Sequence, residues 1–119
     1  MEKIARHHAD LAPWLKPDKV LVIYGPRQVG KTTLVTDFLK GSGLRYRLDS
    51  GDDIRVRELL SSQDTRRLVE FVRGYDCIAI DEAQRIPGIG GALKILVDAR
   101  TGTRLLATGS SSFELAGQV

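Results

Sequence analysis

The segment GPRQVGKTT, residues 25–33, carries the side chains best suited to chemistry. Gly25, Gly30, Lys31 and Thr32 have the spacing G-x-x-x-x-G-K-[ST], which is typical of loops that bind phosphate. Glycines let backbone N–H groups converge on an anion, and the helix that follows directs its positive end toward the same point. We expect Lys31 to pair with the β- and γ-phosphates of a nucleotide and to act in catalysis. We expect the Thr32 hydroxyl to bind Mg²⁺.

The other residues of this loop are also expected to contact the nucleotide. For Arg27 a second interpretation stays open, because a solvated arginine is common in exposed loops. The predicted contacts are Pro26, Arg27, Gln28, Val29 and Thr33.

A second group of polar residues follows the apolar run CIAI, residues 77–80, which ends in Asp81 and Glu82. Carboxylates at the carboxyl end of a buried parallel strand lie at the edge of the sheet where ligands bind. We expect Asp81 to hold Mg²⁺ through water, opposite Thr32. We expect Glu82 to orient and deprotonate a water for attack on the γ-phosphate. The alternative is that Asp81 caps the next helix and that Glu82 is only solvated.

A third polar group ends the apolar run RLLAT, residues 104–108, which continues as GSSS. We expect Thr108, and in second place Ser110, to contact the γ-phosphate or the attacking water. The alternative is that both are ordinary turn residues.

The elements that must position these groups alternate between strand and helix. Such alternation predicts a parallel sheet covered by helices on both faces, an α/β fold. We expect an amphipathic N-terminal helix that buries Trp14 in the core or, less favoured, places it against an adenine. Asp52 or Asp53, and Ser62 or Asp64, are expected to cap helices. The predicted strands are 19–24, 44–48, 77–80 and 104–108, and the predicted helices are 2–15, 31–41, 88–100 and one or two within 52–73.

Length and composition restrict the class of protein. A chain of 119 residues with 42% hydrophobic and 28% charged residues is typical of one soluble domain. We divide it at Pro17 into a helix and connector, 1–17, and a core, 18–119. Cys77 is the single cysteine, so no internal disulfide can form. The N-terminus has no apolar core of a signal peptide, and no apolar run has membrane-spanning length, which together favour a cytoplasmic protein without a membrane partner.

The segments YGPRQVGKTTL, IAIDEAQRIPGIGGALKILVD and LLATGSSSFEL together resemble the prokaryotic AAA-superfamily P-loop ATPases. These ATP-binding proteins are normally followed by a C-terminal domain of unknown function. The resemblance covers about residues 18–116 and implies ATP and Mg²⁺ as cofactors. It also implies the P-loop NTPase fold, a three-layer α/β/α fold with strand order 1-4-3-2 and a fifth strand beside strand 1. Because the sequence stops at Val119, before a fifth strand and a lid, we expect an N-terminal fragment with weak or no activity.

The leading hypothesis is an ATPase core that hydrolyses the β–γ phosphate bond of MgATP by water attack and drives conformational change in domains beyond Val119. A homo-oligomer is a possible assembly of the full-length protein, and Arg85 is a candidate to act in a neighbouring subunit. A small-molecule phosphotransferase is the first alternative. The second is a nucleic-acid-binding module switched by ATP, for which the arginines at 45, 47, 55, 57, 66, 67 and 73 could serve, although a solvated surface is the favoured interpretation of these residues. The sequence does not indicate the protein or nucleic-acid target.

Overall fold

A computed structural model describes residues 11–24 and 29–109 of the chain, with the backbone alone for residues 29–31. Strands and helices alternate along these residues, as the sequence predicts. The strands are β1 (Val20–Tyr24), β2 (Tyr46–Ser50), β3 (Cys77–Asp81) and β4 (Arg104–Gly109), and the helices are α1 (Val29–Gly41), α2 (Ile54–Ser61), α3 (Thr65–Val72) and α4 (Ile89–Ala99). A single 3₁₀ turn, Ala83–Arg85, links β3 to α4.

The four strands form one parallel sheet in the order β1-β4-β3-β2. The α/β fold and the strand order implied by the resemblance are therefore confirmed. Thr108 of β4 lies opposite Ile23 of β1, and Ser50 of β2 lies opposite Asp81 of β3. As a result, the carboxyl ends of all four strands meet at the same edge of the sheet.

Helices cover both faces of the sheet, which gives three layers. Strand side chains alternate between the faces, so each strand contributes to two separate cores. On one face, residues such as Ile80 and Leu105 pack against the buried sides of α2, α3 and α4. On the other face, Ala79 and Leu106 pack against α1, where Val35 and Leu39 are almost fully buried.

The helices are short, and two of them begin at a side-chain cap. The carboxylate of Asp53 accepts a hydrogen bond from the backbone N–H of Arg55 at 2.8 Å, and Asp64 accepts one from Arg66 at 3.0 Å. Such caps satisfy backbone donors that the first turn leaves unpaired. Among the described residues, no helix combines the length and the apolar character needed to span a membrane.

Strand β2 begins two residues later than the sequence predicts. The backbone N–H of Arg45 donates to the carboxylate of Asp76 at 2.9 Å, and the Arg45 carbonyl accepts from the backbone N–H of Asp76 at 2.6 Å. Because the N–H and the carbonyl of Arg45 are both bonded to Asp76, the ladder between β2 and β3 starts at Tyr46. At the edge of the sheet β2 is half exposed, as expected.

The segment before β1 packs on the sheet, but it does not bury Trp14. Residues 12–14 form a turn, and the predicted helix over 2–10 lies outside the described residues. Leu11 and Leu15 are buried on the α1 face, whereas Trp14 is 43% exposed. The expectation that Trp14 packs in the core is wrong, because the turn directs the two leucines inward and leaves the indole outside. The domain division at Pro17 stays a prediction.

Candidate functional site

Three of the predicted site residues come together at the carboxyl edge of the sheet. Strand β1 leads into the glycine-rich loop, and α1, which begins at Val29, carries Thr32 in its first turn. Asp81 is the last residue of β3, and Thr108 is the penultimate residue of β4. Since β4 lies between β1 and β3, these elements converge at one place.

Asp81 is the centre of this group, because each of its carboxylate oxygens accepts a hydrogen bond from a different hydroxyl. Thr32 Oγ1 donates to Oδ2 at 3.1 Å, and Thr108 Oγ1 donates to Oδ1 at 2.5 Å. Thr108 is only 2% exposed, whereas Asp81 is half-buried and Thr32 is exposed. The carboxylate is thus fixed from the interior by Thr108, while Asp81 remains partly accessible to solvent.

The donor atoms of this group suit a hard cation. Hydroxyl and carboxylate oxygens are the ligands that Mg²⁺ prefers, and this ion usually keeps several waters while it binds one or two protein groups. Within residues 11–24 and 29–109 there is no cluster of three or more His, Cys, Asp or Glu side chains that would hold a metal alone. Thr32 and Asp81 are therefore the residues that could hold Mg²⁺ together with phosphate oxygens.

Glu82 follows directly, but it lies beyond the strand and has a different environment. Its backbone is in the left-handed region, with φ 54° and ψ 45°, which is uncommon for a residue with a side chain. The side chain is half-buried, and its Oε1 accepts a hydrogen bond from Nε2 of Gln84 at 2.7 Å. The main-chain carbonyl of Glu82 accepts from the backbone N–H of Arg85 at 3.1 Å.

Gly51, which the sequence did not single out, packs against the backbone of this acidic pair. Its N–H donates to the main-chain carbonyl of Asp81 at 2.7 Å. A Cβ on Gly51 would overlap the carbonyl oxygen of Glu82, so a larger residue does not fit without movement of the backbone. The only signal for Gly51 in the sequence is a glycine shortly after the predicted strand 44–48. Nothing in the spacing of Gln84 distinguishes it from a surface residue.

Some of the predicted site residues lie outside the described residues. They are Gly25, Pro26, Arg27, Gln28 and Ser110. Val29, Gly30 and Lys31 belong to the first turn of α1, where the backbone alone is described, and Thr33 is exposed on that helix. The assignment of these residues to the nucleotide stays a prediction.

Arginines outside the loop contact acidic and aromatic side chains of the same chain. Nε of Arg85 lies 3.0 Å from Oδ1 of Asp52, and Nε of Arg47 lies 2.6 Å from Oδ2 of Asp49. The guanidinium of Arg47 also lies over the ring of Phe71, 4.4 Å from its centre. These contacts agree with a solvated surface in which positive charges are locally compensated.

The sequence of the chain is similar to one protein family and to two curated proteins. Residues 17–119 match the sequence profile of the AAA domain family. An uncharacterized protein of Mycobacterium bovis and one of Mycobacterium tuberculosis are each 35% identical to the chain over 99 residues. This alignment covers 82% of the chain but 21% of each relative, so the chain spans about a fifth of the length of these curated relatives. No solved structure matches the chain significantly.

Proposed function

The chain belongs to the AAA domain family, and on this premise we propose that it binds ATP with Mg²⁺ and hydrolyses the bond between the β- and γ-phosphates. Water is the attacking group, and hydrolysis drives conformational change in other parts of the full-length protein. The observation that carries the proposal is the pair of hydrogen bonds from Thr32 and Thr108 to the carboxylate of Asp81. It supports the binding of a phosphate with its Mg²⁺ at the edge of the sheet, where β1 leads into the glycine-rich segment 25–33.

The phosphates bind in the loop between β1 and α1. Backbone N–H groups of this glycine-rich segment would bind the β-phosphate, and Lys31 would contribute a full positive charge to the β- and γ-phosphates. Support comes from the order of the elements: a buried strand precedes the loop, and α1 begins at Val29, so the positive end of its dipole lies at the loop.

Thr32 and Asp81 are the residues that would hold Mg²⁺, Thr32 through its hydroxyl and Asp81 through water, which is the common arrangement for a carboxylate opposite a phosphate loop. Bound Mg²⁺ supplies positive charge that stabilises the negative charge developing on the transferred phosphoryl group. The hydrogen bond from Thr108 keeps the Asp81 carboxylate in one orientation, in which it would face the ion together with Thr32.

Glu82 is the general base. Its carboxylate accepts a proton from water as the water oxygen forms a bond to the γ-phosphorus. The bond from that phosphorus to the bridging oxygen breaks, and ADP leaves with the electron pair. Glu82 then releases the proton to phosphate or solvent and returns to its starting state.

The proposal is tested by phosphate release from MgATP by the full-length protein without any added acceptor. We expect release in the wild type and a decrease of about 10²- to 10⁴-fold in Glu82→Gln, since a positioned general base contributes that much. Glu58→Gln is the matched control, because Glu58 lies exposed on α2 and the same change there should leave the rate intact.

Three outcomes would contradict the proposal. Release that requires a small-molecule acceptor would identify a phosphotransferase. ATP binding without hydrolysis, accompanied by salt-dependent nucleic-acid binding, would identify a switch module. Equal rates in the wild type and Glu82→Gln would exclude Glu82 as the base.

A further inference from the structure

We propose that Glu82 is held in place by a clamp of two positioning residues, Gln84 for its carboxylate and Gly51 for its backbone. This inference rests on the proposed function, because it concerns the general base of that reaction. Neither Gln84 nor Gly51 belongs to the phosphate loop or to the metal ligands.

The position of Glu82 is not determined by the sheet. Strand β3 ends at Asp81, and Glu82 adopts a left-handed backbone, so the regular alternation of strand side chains stops before it. A non-glycine residue in this conformation persists only where its surroundings hold it. The contacts around Glu82 must therefore supply the orientation that a strand would otherwise provide.

Gly51, the residue directly after the neighbouring strand β2, holds the backbone of the acidic pair. Its N–H donates to the main-chain carbonyl of Asp81 at 2.7 Å, and it lies so close to the carbonyl of Glu82 that a Cβ would overlap it. Side-chain atoms of Ile86 lie on the same side, 3.3 Å from the place that a Cβ would occupy. Since Gly51 and Ile86 are buried, this backbone contact cannot relax by moving into solvent.

Gln84 holds the side chain from within the turn. Its Nε2 donates to Oε1 of Glu82 at 2.7 Å, two residues away along the chain. A hydrogen bond to a charged acceptor is stronger than one between neutral groups. It restricts the rotation of a carboxylate that must meet a water in one direction, and misplacement of a reacting group by about 1 Å can lower a rate by about 10²-fold.

The first experiment compares single and double variants in the full-length protein. Gln84→Met removes the donor with little change in volume, and we expect kcat for MgATP to fall about 10- to 100-fold with KM unchanged. In the Glu82→Gln background the same change should have no further effect on kcat, because Gln84 acts through Glu82. A residue that only stabilises the fold would instead lower kcat by the same factor in both backgrounds, and that result would overturn the inference.

Matched controls separate positioning from stability. Gln63 also donates through its side-chain amide, at 3.1 Å to the main-chain carbonyl of Gly88, so Gln63→Met removes a comparable bond away from Glu82 and should leave kcat intact. Gly51→Ala should lower kcat, whereas Gly41→Ala meets no atom within 4 Å and should be neutral. If Gly51→Ala does not fold, the Gln84 cycle still decides the question.

The second readout does not depend on turnover. NMR spectra are recorded of protein whose glutamine side chains are labelled with ¹⁵N, and the amide signal of Gln84 is identified by its absence in Gln84→Met. This signal should shift in Glu82→Ala and stay in place in Glu58→Ala. An unchanged signal in Glu82→Ala would show that the contact is absent in solution. Wild-type protein that releases no phosphate would refute the proposed function and this inference with it, whereas active wild type with an equally active Gln84→Met would refute the inference alone.

Discussion

Replacement of Thr108 by valine tests the arrangement around Asp81 most directly. The two side chains have nearly the same shape, so the change removes only the hydroxyl that donates to Oδ1 of Asp81 at 2.5 Å. Thr108 is 2% exposed, and its strand lies between β1 and β3. Water therefore cannot replace the hydroxyl from the side of the sheet.

The expected loss of stability follows from the charge and burial of the two groups. A hydrogen bond to a charged partner contributes about 1.5–3 kcal/mol. Because Asp81 is only half-buried, its carboxylate keeps contact with solvent, and we expect the lower part of that range, about 1.5–2 kcal/mol. An unfolding entropy of about 2.1 cal/mol/K per residue over 119 residues gives about 0.25 kcal/mol/K, so Tm should fall by roughly 6–8 °C.

The same substitution should weaken the metal site. Thr108 would be an outer partner of a metal-binding carboxylate, and loss of such a partner commonly lowers metal affinity by about 10- to 100-fold. Titration calorimetry of ATP with and without Mg²⁺ measures this effect, and urea denaturation measures the free energy of unfolding.

Thr103→Val is the matched control for this experiment. Thr103 is also buried, at 4% exposure, but its hydroxyl donates to the neutral carbonyl of Tyr75 at 3.4 Å. We expect a loss of about 0.5–1.5 kcal/mol and no change in the Mg²⁺ dependence. If Thr108→Val changes the free energy of unfolding by less than 0.5 kcal/mol and leaves the Mg²⁺ dependence intact, the short contact with Asp81 is not a feature of the folded protein.

Three further predictions concern the loop, the acidic pair and the thiol. Lys31→Ala should lower MgATP affinity about 100-fold without unfolding the domain, because one charge-assisted phosphate contact contributes about 2–3 kcal/mol; equal calorimetric affinities would contradict this. Asp81→Asn should weaken the Mg²⁺ dependence of nucleotide binding and Glu82→Gln should not, so equal Mg²⁺ titrations would refute the division of roles. Burial raises the pKa of the Cys77 thiol to about 12 from its ordinary 9.0, so the folded state keeps a proton that the unfolded state loses as the pH rises above about 9. The wild type should therefore lose about 1.4 kcal/mol more than Cys77→Ala between pH 8 and pH 10 in urea denaturation, and identical pH dependence in both would contradict the shift.

Much of the fold and part of the site follow from residue patterns in the sequence. The buried strands are continuous apolar runs, and residue type restricts each of two helix caps to two candidates, of which Asp53 and Asp64 are the caps in the structure. The proximity of Asp81 to Thr108 also follows from alternation. Asp81 is two residues from Ala79, and Thr108 is two residues from Leu106, so both point to the face that α1 covers. Thr32 lies on that helix, which brings the three side chains together.

The start of β2 and the exposure of Trp14 could not be predicted in the same way. Both depend on contacts between residues far apart in the sequence or on the direction of a turn. The carboxylate of Asp76 accepts a hydrogen bond from the backbone N–H of Arg45, 31 residues away, and no local sequence pattern indicates this contact. The sequence predicts a helix that includes Trp14, but a turn at 12–14 buries Leu11 and Leu15 and leaves the indole exposed.

Asp81 and Glu82 differ in how firmly the fold determines their positions, because only Asp81 belongs to a strand. Asp81 is the last residue of a strand that pairs with β2 over its whole length, so substitutions around it should mainly change stability and metal affinity. Glu82 lies one residue beyond the ladder, where it adopts a left-handed backbone, packs against Gly51 and accepts a hydrogen bond from Gln84. Substitutions at those two contacts should therefore change turnover more than they change nucleotide affinity. In the proposed mechanism, the acidic pair therefore combines a metal partner held by a strand, Asp81, with a general base, Glu82, whose carboxylate accepts a hydrogen bond from Gln84.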